Sequence, residues 1–153
     1  PLHGIRFFTL SVKHRVKQNR TANPMLVISC HGLEANGQLG YGLALTGHNL
    51  MLSNLSEMYA LRGLLSGIIL NACGPANTSR GNSATHGDGW RFCQELATIT
   101  NAEVMASTVT QLYSYNVRSN MIFWNTATSS PDFGAWEGPV FRFFPGGSVR
   151  RIH

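Results

Sequence analysis

The sequence predicts an α/β domain with a mainly parallel central sheet and helices on its faces. Two observations predict this architecture. Short, strongly apolar runs stop abruptly at polar residues or glycine, as is typical of strands buried inside a sheet. Between these runs lie stretches whose apolar residues recur at helical spacing. Strands and helices that alternate in this order form parallel sheets through right-handed crossovers.

The amino-terminal part is expected to supply two strands. Residues 5–12 (IRFFTLSV) are predicted to form the first strand, and residues 13–24 a polar connection. Residues 25–30 (MLVISC) are predicted to form the second strand, which ends at His31. The glycine-rich residues 33–47 indicate a loop that contains a short strand or a hairpin.

The middle of the chain predicts a helix followed by a buried strand. Ser53 or Asn54 is expected to cap a helix that runs to about Ser66, where a glycine stops it. Residues 67–72 (GIILNA) are predicted to form a third strand, which ends at Cys73.

The remaining elements complete the sheet. A second helix is predicted over residues 90–99 and a further strand over residues 103–108. Residues 121–124 (MIFW) are interpreted as a short strand or an aromatic wall. Residues 138–144 and 148–152 are predicted to form a hairpin about a Pro-Gly-Gly turn.

The composition indicates a single domain over residues 1–153. Hydrophobic residues make up 43% of the chain and charged residues 12%, a balance that allows a core and argues against disorder. The first residue is Pro, so we expect a processed chain or a domain excised from a longer protein. No apolar run reaches the roughly 18 residues of a membrane span, and no signal segment is recognised. We therefore expect a soluble chain with no membrane partner. The sequence does not indicate its cellular compartment.

The charge of the chain does not favour a nucleic-acid partner. The formal net charge is +5, with basic residues clustered from Lys13 to Arg20 and at the end of the chain. Because no aromatic residues interleave with the first cluster, a stacking platform for bases is missing, and a solvated loop is the simpler interpretation. Three cysteines without a CxxC pair indicate neither a disulfide framework nor a zinc finger.

His31 and Cys73 are the residues to which the pattern assigns chemistry. Each follows a buried strand, and the carboxyl ends of parallel strands meet at the edge of the sheet where ligands bind. A neighbouring imidazole activates a thiol by accepting its proton. The backbone amides of Gly32 and Cys73 are candidates for an oxyanion site. Spacing identifies no third residue that would orient the imidazole.

At these residues the sequence resembles the caspase-like superfamily of cysteine peptidases, in which one apolar strand ends in His-Gly and the next in Ala-Cys. The segments VISCHG and IILNACG carry the likeness, with Asn71 in place of the Gln of the caspase signature. Uncharacterised bacterial caspase-like domains are also similar in GWRFCQELATITNAEV and WEGPVFRFFPGG. The resemblance implies a three-layer sandwich and endopeptidase activity, with catalytic roles for His31 and Cys73 and an oxyanion role for Gly32.

Four residues near the predicted edge are candidates for substrate binding: Asn71, Asp88, Ser107 and Trp136. The Asp88 carboxylate could attract a basic substrate residue, and an ordinary solvated loop is the alternative. Trp136 could form the wall of a peptide groove, although aromatic residues more often belong to a core.

The other cysteines and histidines have simpler interpretations. Cys30 should point to the opposite side of its strand from His31 and pack in the core. Cys93 lies among the apolar positions of the second predicted helix and should be buried. His48 and His86 are expected at the surface; either could complete a metal site with the two catalytic candidates, but no close pair favours one. We predict no metal and no cofactor.

Three functions fit these residues. The first is a cysteine endopeptidase that acts on a protein or peptide substrate through a Cys-His dyad. The second is a catalytically inactive caspase-like module that mediates interactions within a larger protein. The third is a different thiol hydrolase or transferase that uses the same dyad. The sequence does not indicate an oligomeric state.

Overall fold

The computed structural model describes residues 4–20, 24–45, 47–78, 88–111 and 136–153. Two α-helices, one 3₁₀ helix and eight strands lie in these ranges. In chain order they are α1 (Gly4–Asn19), β1 (Met25–Ser29), β2 (His31–Ala35), β3 (Gln38–Leu45), β4 (His48–Leu50), the 3₁₀ helix (Leu52–Leu61), β5 (Gly67–Asn71), α2 (Gly89–Thr100), β6 (Glu103–Ser107), β7 (Val140–Phe143) and β8 (Val149–Arg151).

The strands form two sheets. The larger sheet has the order β1-β5-β6-β7-β8, in which β1, β5 and β6 are parallel and β7 and β8 antiparallel to their neighbours. This arrangement confirms the predicted α/β class. Strands β2, β3 and β4 form a separate antiparallel sheet, a larger structure than the loop with a short strand or hairpin predicted for residues 33–47.

Helix α2 packs on one face of the larger sheet, and the 3₁₀ helix packs against both α2 and α1. The crossovers from β1 to β5 and from β5 to β6 advance in the same direction, so right-handed connections put their helices on the same side. Trp90 of α2 packs edge-on against Phe141 and Phe143 of β7, with ring centroids 4.9 Å apart in both pairs. The sequence predicts helices on both faces of the sheet. In the described part of the chain, helix packing is seen on one face.

One hydrophobic core lies between these helices and the sheet. Strand side chains alternate between faces, so Ile68 and Leu70 of β5 point into this core while Ile69 points to the opposite face. Ile69 is nevertheless buried, with 1% of its surface exposed. The largest core side chains are Ile5, Leu43, Leu50, Leu55, Met58, Leu61, Phe92, Leu96 and Phe143.

The prediction of a strand over residues 5–12 is wrong, because these residues form the first half of α1. Ile5, Thr9 and Val12 are its buried residues, and their spacing of four and three positions is a helical period. Residues 13–19, predicted as a polar connection, continue the same helix. A short apolar run fits either element, and here the helix buries one side of it.

The helix expected to run from Ser53 or Asn54 to Ser66 is a shorter 3₁₀ helix that ends at Leu61. Met51 is its N-cap residue. The side-chain oxygen of Asn54 accepts a hydrogen bond from the Met51 amide at 2.8 Å. Asn54 therefore satisfies an amide at the start of the helix from inside the first turn rather than from the cap position.

The other predicted strands and the second predicted helix are confirmed to within one or two residues, as β1, β5, α2, β6, β7 and β8. The segment 121–124 lies outside the described residues. Among the described residues, no helix combines the length and the apolar character needed to cross a membrane.

Candidate functional site

The carboxyl ends of β1 and β5 lie level with each other. Ser29 and Asn71 are the last paired residues of the two strands, and the Asn71 side-chain amide donates a hydrogen bond to the Ser29 hydroxyl at 3.3 Å. His31 and Cys73 each follow this pair by two residues. The ladder therefore delivers both predicted catalytic residues to the same edge of the sheet, as the sequence predicts.

Gly32 lies directly against the backbone of Cys73. A Cβ atom built on Gly32 would come within 1.9 Å of the Cys73 carbonyl oxygen, so no side chain fits at residue 32. The glycine that follows the candidate base is thus required by a close approach to the candidate nucleophile. The structure brings these two predicted oxyanion residues together.

The β2–β3 hairpin crosses the chain segment that follows β5. A Cβ on Gly40 of β3 would lie 1.8 Å from the Asn77 carbonyl oxygen. The backbone of β3 therefore packs directly on the backbone of the segment after β5, as Gly32 of β2 does. Between these contacts, Gly74 has a φ of +50°, and the Leu39 side chain packs over it. The hairpin therefore forms one wall of the site around Cys73.

A chain segment after β6 forms the opposite wall. The amides of Gly74 and Ala76 donate hydrogen bonds to the carbonyls of Val109 and Ser107, at 2.9 and 3.0 Å. The two bonds run in the opposite sense to the parallel β5–β6 pairing, so the chain after Cys73 turns back along the end of β6. The backbone on either side of Cys73 is thus fixed by two neighbouring segments.

The Cys73 side chain is half-buried and the His31 side chain is exposed. The Cys73 thiol donates to the backbone carbonyl of Gln111, with a sulfur-to-oxygen distance of 3.8 Å. Within the described part of the chain, no hydrogen bond joins Cys73 to His31. The acceptor of the Cys73 thiol is thus a backbone carbonyl and not the His31 imidazole.

Gln111 is a site residue that the sequence analysis does not identify. Its side-chain amide is buried and donates to the Ser107 hydroxyl and the Glu137 carbonyl, both at 2.8 Å. Its side-chain oxygen accepts from the Glu137 amide at 3.0 Å. Gln111 therefore ties the segment before β7 to the segment that contacts Cys73. Its Glu137 partner lies 26 positions away along the chain, so no local motif marks this contact.

Three of the substrate-binding candidates, Asn71, Ser107 and Asp88, form side-chain hydrogen bonds that fix them in the fold. Asn71 is buried and bonded to Ser29, and Ser107 is buried and bonded to Gln111. Asp88 is the N-cap of α2; its carboxylate accepts from the Arg91 amide at 3.1 Å and from the Thr78 hydroxyl at 2.9 Å.

Trp136, the fourth candidate, precedes the Glu137 backbone that Gln111 holds, and it is half-buried. A half-buried indole next to a segment that is bonded to Gln111, whose carbonyl contacts the Cys73 thiol, is compatible with the predicted wall of a peptide groove. Its role in substrate binding stays a prediction, as do those of the other three residues.

The two other cysteines have environments that suppress the thiolate. All three cysteines are reduced thiols. Burial, together with the charge of a Cys73 thiolate, raises the pKa of Cys30 to about 11. Cys93 is fully buried in α2, as predicted, and burial together with the Asp88 carboxylate raises its pKa further. Cys30 packs partly against the core, as expected.

No metal centre is evident in the described ranges, where no group of three or more His, Cys, Asp or Glu residues is suitably placed. His48 has a structural partner, because its Nδ1 atom accepts a hydrogen bond from the Gly4 amide at 3.1 Å. His86 lies outside the described residues.

Two surface clefts lie along α1. One, of about 310 Å³, is bounded by α1 and by Met25 and Leu26 at the start of β1. It is therefore at the amino end of the parallel strands, away from Cys73. The other, of about 430 Å³, lies between α1 and the 3₁₀ helix and includes Glu57.

Comparison of the chain with family models, curated proteins and solved structures finds no match. A functional assignment for this chain therefore depends on the residues at the ends of β1 and β5.

Proposed function

We propose that this chain is a cysteine endopeptidase of the caspase-like type, with Cys73 as nucleophile and His31 as its base. The observation that carries the proposal is the contact between Gly32 and the Cys73 carbonyl. The two lie so close that residue 32 has no room for a side chain. This contact holds the residue after His31 against the nucleophile's own backbone. The level strand ends at Ser29 and Asn71 support the same pairing.

The reaction follows from these positions. The Cys73 thiol leaves the Gln111 carbonyl and transfers its proton to the His31 imidazole, and the thiolate attacks a peptide carbonyl. The imidazolium then protonates the departing amine, which leaves a thioester on Cys73. Water, deprotonated by His31, hydrolyses this thioester and releases the acid together with the regenerated thiol.

The oxyanion formed in each step needs donors in the right place. The Gly74 amide is already bonded to the Val109 carbonyl, so it is not available for this role. The amides of Gly32 and Cys73 are the donors we propose, because the two residues touch and belong to the same edge. Loss of one such donor typically costs a factor of about 10²–10³ in rate.

A caspase-like three-layer arrangement is part of this proposal. The described helices cover one face of the larger sheet, yet Ile69 and Val140 are also buried, at 1% and 0% exposure. Both residues lie outside the core beneath the helices. Burial of the second face is what a third layer would produce.

An inactive caspase-like interaction module is the second candidate. The observation in its favour is that the Cys73 thiol bonds to the Gln111 carbonyl and not to His31. If this arrangement is permanent, Cys73 is a structural residue and the edge of the sheet serves only for binding.

Incubation of the purified chain with a mixed peptide library, followed by mass spectrometry, tests the proposal. We expect cleavage by the wild type in reducing buffer, no cleavage by Cys73→Ala, and retained cleavage by Cys30→Ala, the matched loss of a neighbouring thiol. Absence of cleavage by the folded wild type, equal to that of Cys73→Ala, would instead favour the module.

A further inference from the structure

A second thiol lies beside the proposed nucleophile. The Cys30 amide donates to the Asn71 carbonyl at 3.3 Å, and Gly32 touches the Cys73 carbonyl. These two contacts keep the segments that follow β1 and β5 side by side. Continued register places Cys30 opposite Ala72, one residue before Cys73. A strand spacing of about 4.8 Å and a rise of about 3.3 Å then give a Cα separation of about 6 Å, and a disulfide spans Cα atoms about 4.4–6.8 Å apart. The backbone separation therefore suits a disulfide.

The two side chains can also approach each other. In a continued pleat they would point to opposite faces. However, both residues lie beyond the last paired residues, and Cys73 is in a bend that precedes the positive φ of Gly74. Burial and, in addition, the charge of a Cys73 thiolate raise the pKa of Cys30 to about 11. Both thiols are partly exposed.

We propose that Cys30 and Cys73 are a reversible modification site, at which a hydroperoxide oxidises Cys73 and Cys30 then closes a disulfide with it. This inference rests on the proposed function, because a thiolate reactive enough to attack a peptide is also the thiol that hydroperoxides oxidise first.

The chemistry balances in two steps. The Cys73 thiolate attacks an oxygen of the hydroperoxide, the O–O bond breaks, the hydroxide or alkoxide leaves, and Cys73 becomes a sulfenic acid. Cys30 then attacks this sulfur, so that the S–S bond forms and the S–O bond breaks. The proton lost by Cys30 and the departing hydroxide leave as water, and an added dithiol reverses the step.

The disulfide protects the nucleophile. A sulfenic acid that meets no second thiol is oxidised further to the sulfinic acid, which thiols do not reduce. Cys30 stops this course by converting Cys73 into a form that a dithiol restores. Cys93 takes no part, since it is fully buried in the core.

The experiment compares the wild type with Cys30→Ser. Each folded protein is treated with hydrogen peroxide and mapped by mass spectrometry, and its Cys73 is then labelled with a peptide electrophile before and after dithiothreitol. In the wild type we expect a Cys30–Cys73 cross-linked peptide and labelling that is lost and then fully restored. In Cys30→Ser we expect a sulfenic acid trapped by dimedone on Cys73, and labelling that dithiothreitol does not restore after prolonged treatment.

The outcomes separate this inference from the proposed function. Wild-type protein that labels at Cys73 but forms a dimedone adduct there without a cross-link would overturn the disulfide alone. A cross-link to Cys93 would also overturn it. A Cys30–Cys73 cross-link in a protein whose Cys73 ignores the electrophile would support the disulfide and contradict the peptidase. Inertness of Cys73 to both reagents would contradict both.

Discussion

Ser29 and Asn71 lie opposite each other at the end of the β1–β5 ladder, and their side chains are hydrogen-bonded at 3.3 Å. Because this pair is in register, the residues two positions further along each strand reach the same edge of the sheet. Those residues are His31 and Cys73. The position of the proposed dyad is therefore set by strand register and does not depend on a long loop.

Gly32→Ala should destabilise the protein and disable the site. The added methyl would meet the Cys73 carbonyl oxygen at 1.9 Å, and a backbone atom cannot move aside as a flexible side chain can. We expect a loss of about 1–3 kcal/mol in the free energy of unfolding, as for other overpacked positions. Urea denaturation measures this loss, and peptide cleavage measures the effect on the site.

Gly146→Ala is the matched control, because a Cβ there meets nothing within 4 Å and the residue has no positive φ. Its unfolding free energy should stay within about 0.5 kcal/mol of the wild type. Equal stability of the two variants would show that Gly32 does not touch Cys73 as described.

Replacement of Gln111 should loosen the segment that holds the Cys73 thiol. Gln111→Met keeps the volume of the side chain but removes its hydrogen bonds, among them those to Ser107 and to the backbone of Glu137. Because polar groups left unsatisfied inside a protein cost about 1–3 kcal/mol each, we expect a destabilisation of at least that size in urea.

Gln111→Glu separates the contribution of the side-chain donor from that of the side-chain acceptor. It keeps the oxygen that accepts from the Glu137 amide but loses both donors, so it should also destabilise. Wild-type stability in the methionine variant would mean that the buried amide network contributes nothing.

The thiols should differ in their response to pH. Since the pKa of Cys30 is raised from 9.0 to about 11, its alkylation by iodoacetamide should accelerate mainly between those values. Below pH 9.0 the thiol is protonated in both the folded and the unfolded chain, so it adds no pH dependence. Above pH 9.0 it ionises first in the unfolded chain, and the free energy of unfolding should fall as the pH rises towards about 11.

Cys30→Ser should make this fall shallower, while Cys93, whose pKa is raised further, should maintain the rest of it; chemical denaturation at each pH measures both slopes. Cys93 serves as an internal reference, because its burial should keep it unlabelled until the protein unfolds. Alkylation of Cys30 and Cys93 at the same rate in the folded protein would contradict the raised pKa and the burial together.

Asp88 should stabilise α2 through its cap. Asp88→Ala removes the acceptor for the Arg91 amide and the Thr78 hydroxyl. A loss of about 1 kcal/mol in the free energy of unfolding is expected, and Asp88→Asn should retain most of the stability. Glu95→Ala, which removes only an exposed ion pair with Arg91, is the control and should cost about 0.3–0.5 kcal/mol. A similar cost for both alanine variants would argue against the cap.

The sequence is sufficient to predict the elements whose signals are local. Strands β1 and β5 are short apolar runs that end at His31-Gly32 and near Cys73-Gly74, and both were predicted with their ends nearly correct. Helix α2 has a capping aspartate and a clear apolar face. The edge beyond which both His31 and Cys73 lie follows from these strands and from the general geometry of parallel sheets.

Other features depend on contacts between distant parts of the chain. The run Ile5 to Val12 fits a strand or a helix, and the neighbours that bury one of its sides decide in favour of α1. His31 is the first residue of β2 in the second sheet. The glycines of its partner strand β3 are typical of loops, so the sequence does not indicate this sheet. The hydrogen bonds of Gln111 to Glu137 cross 26 positions, so no local pattern indicates them.

The central claim is that His31 activates Cys73. Its most direct test is the rate at which a peptide electrophile labels each cysteine in the wild type, in His31→Ala and in His14→Ala, which removes an exposed histidine of α1. We predict preferential labelling of Cys73, a decrease of about 10²–10⁴-fold in His31→Ala, and no change in His14→Ala. Labelling of Cys73 at the same rate in all three proteins would contradict the claim.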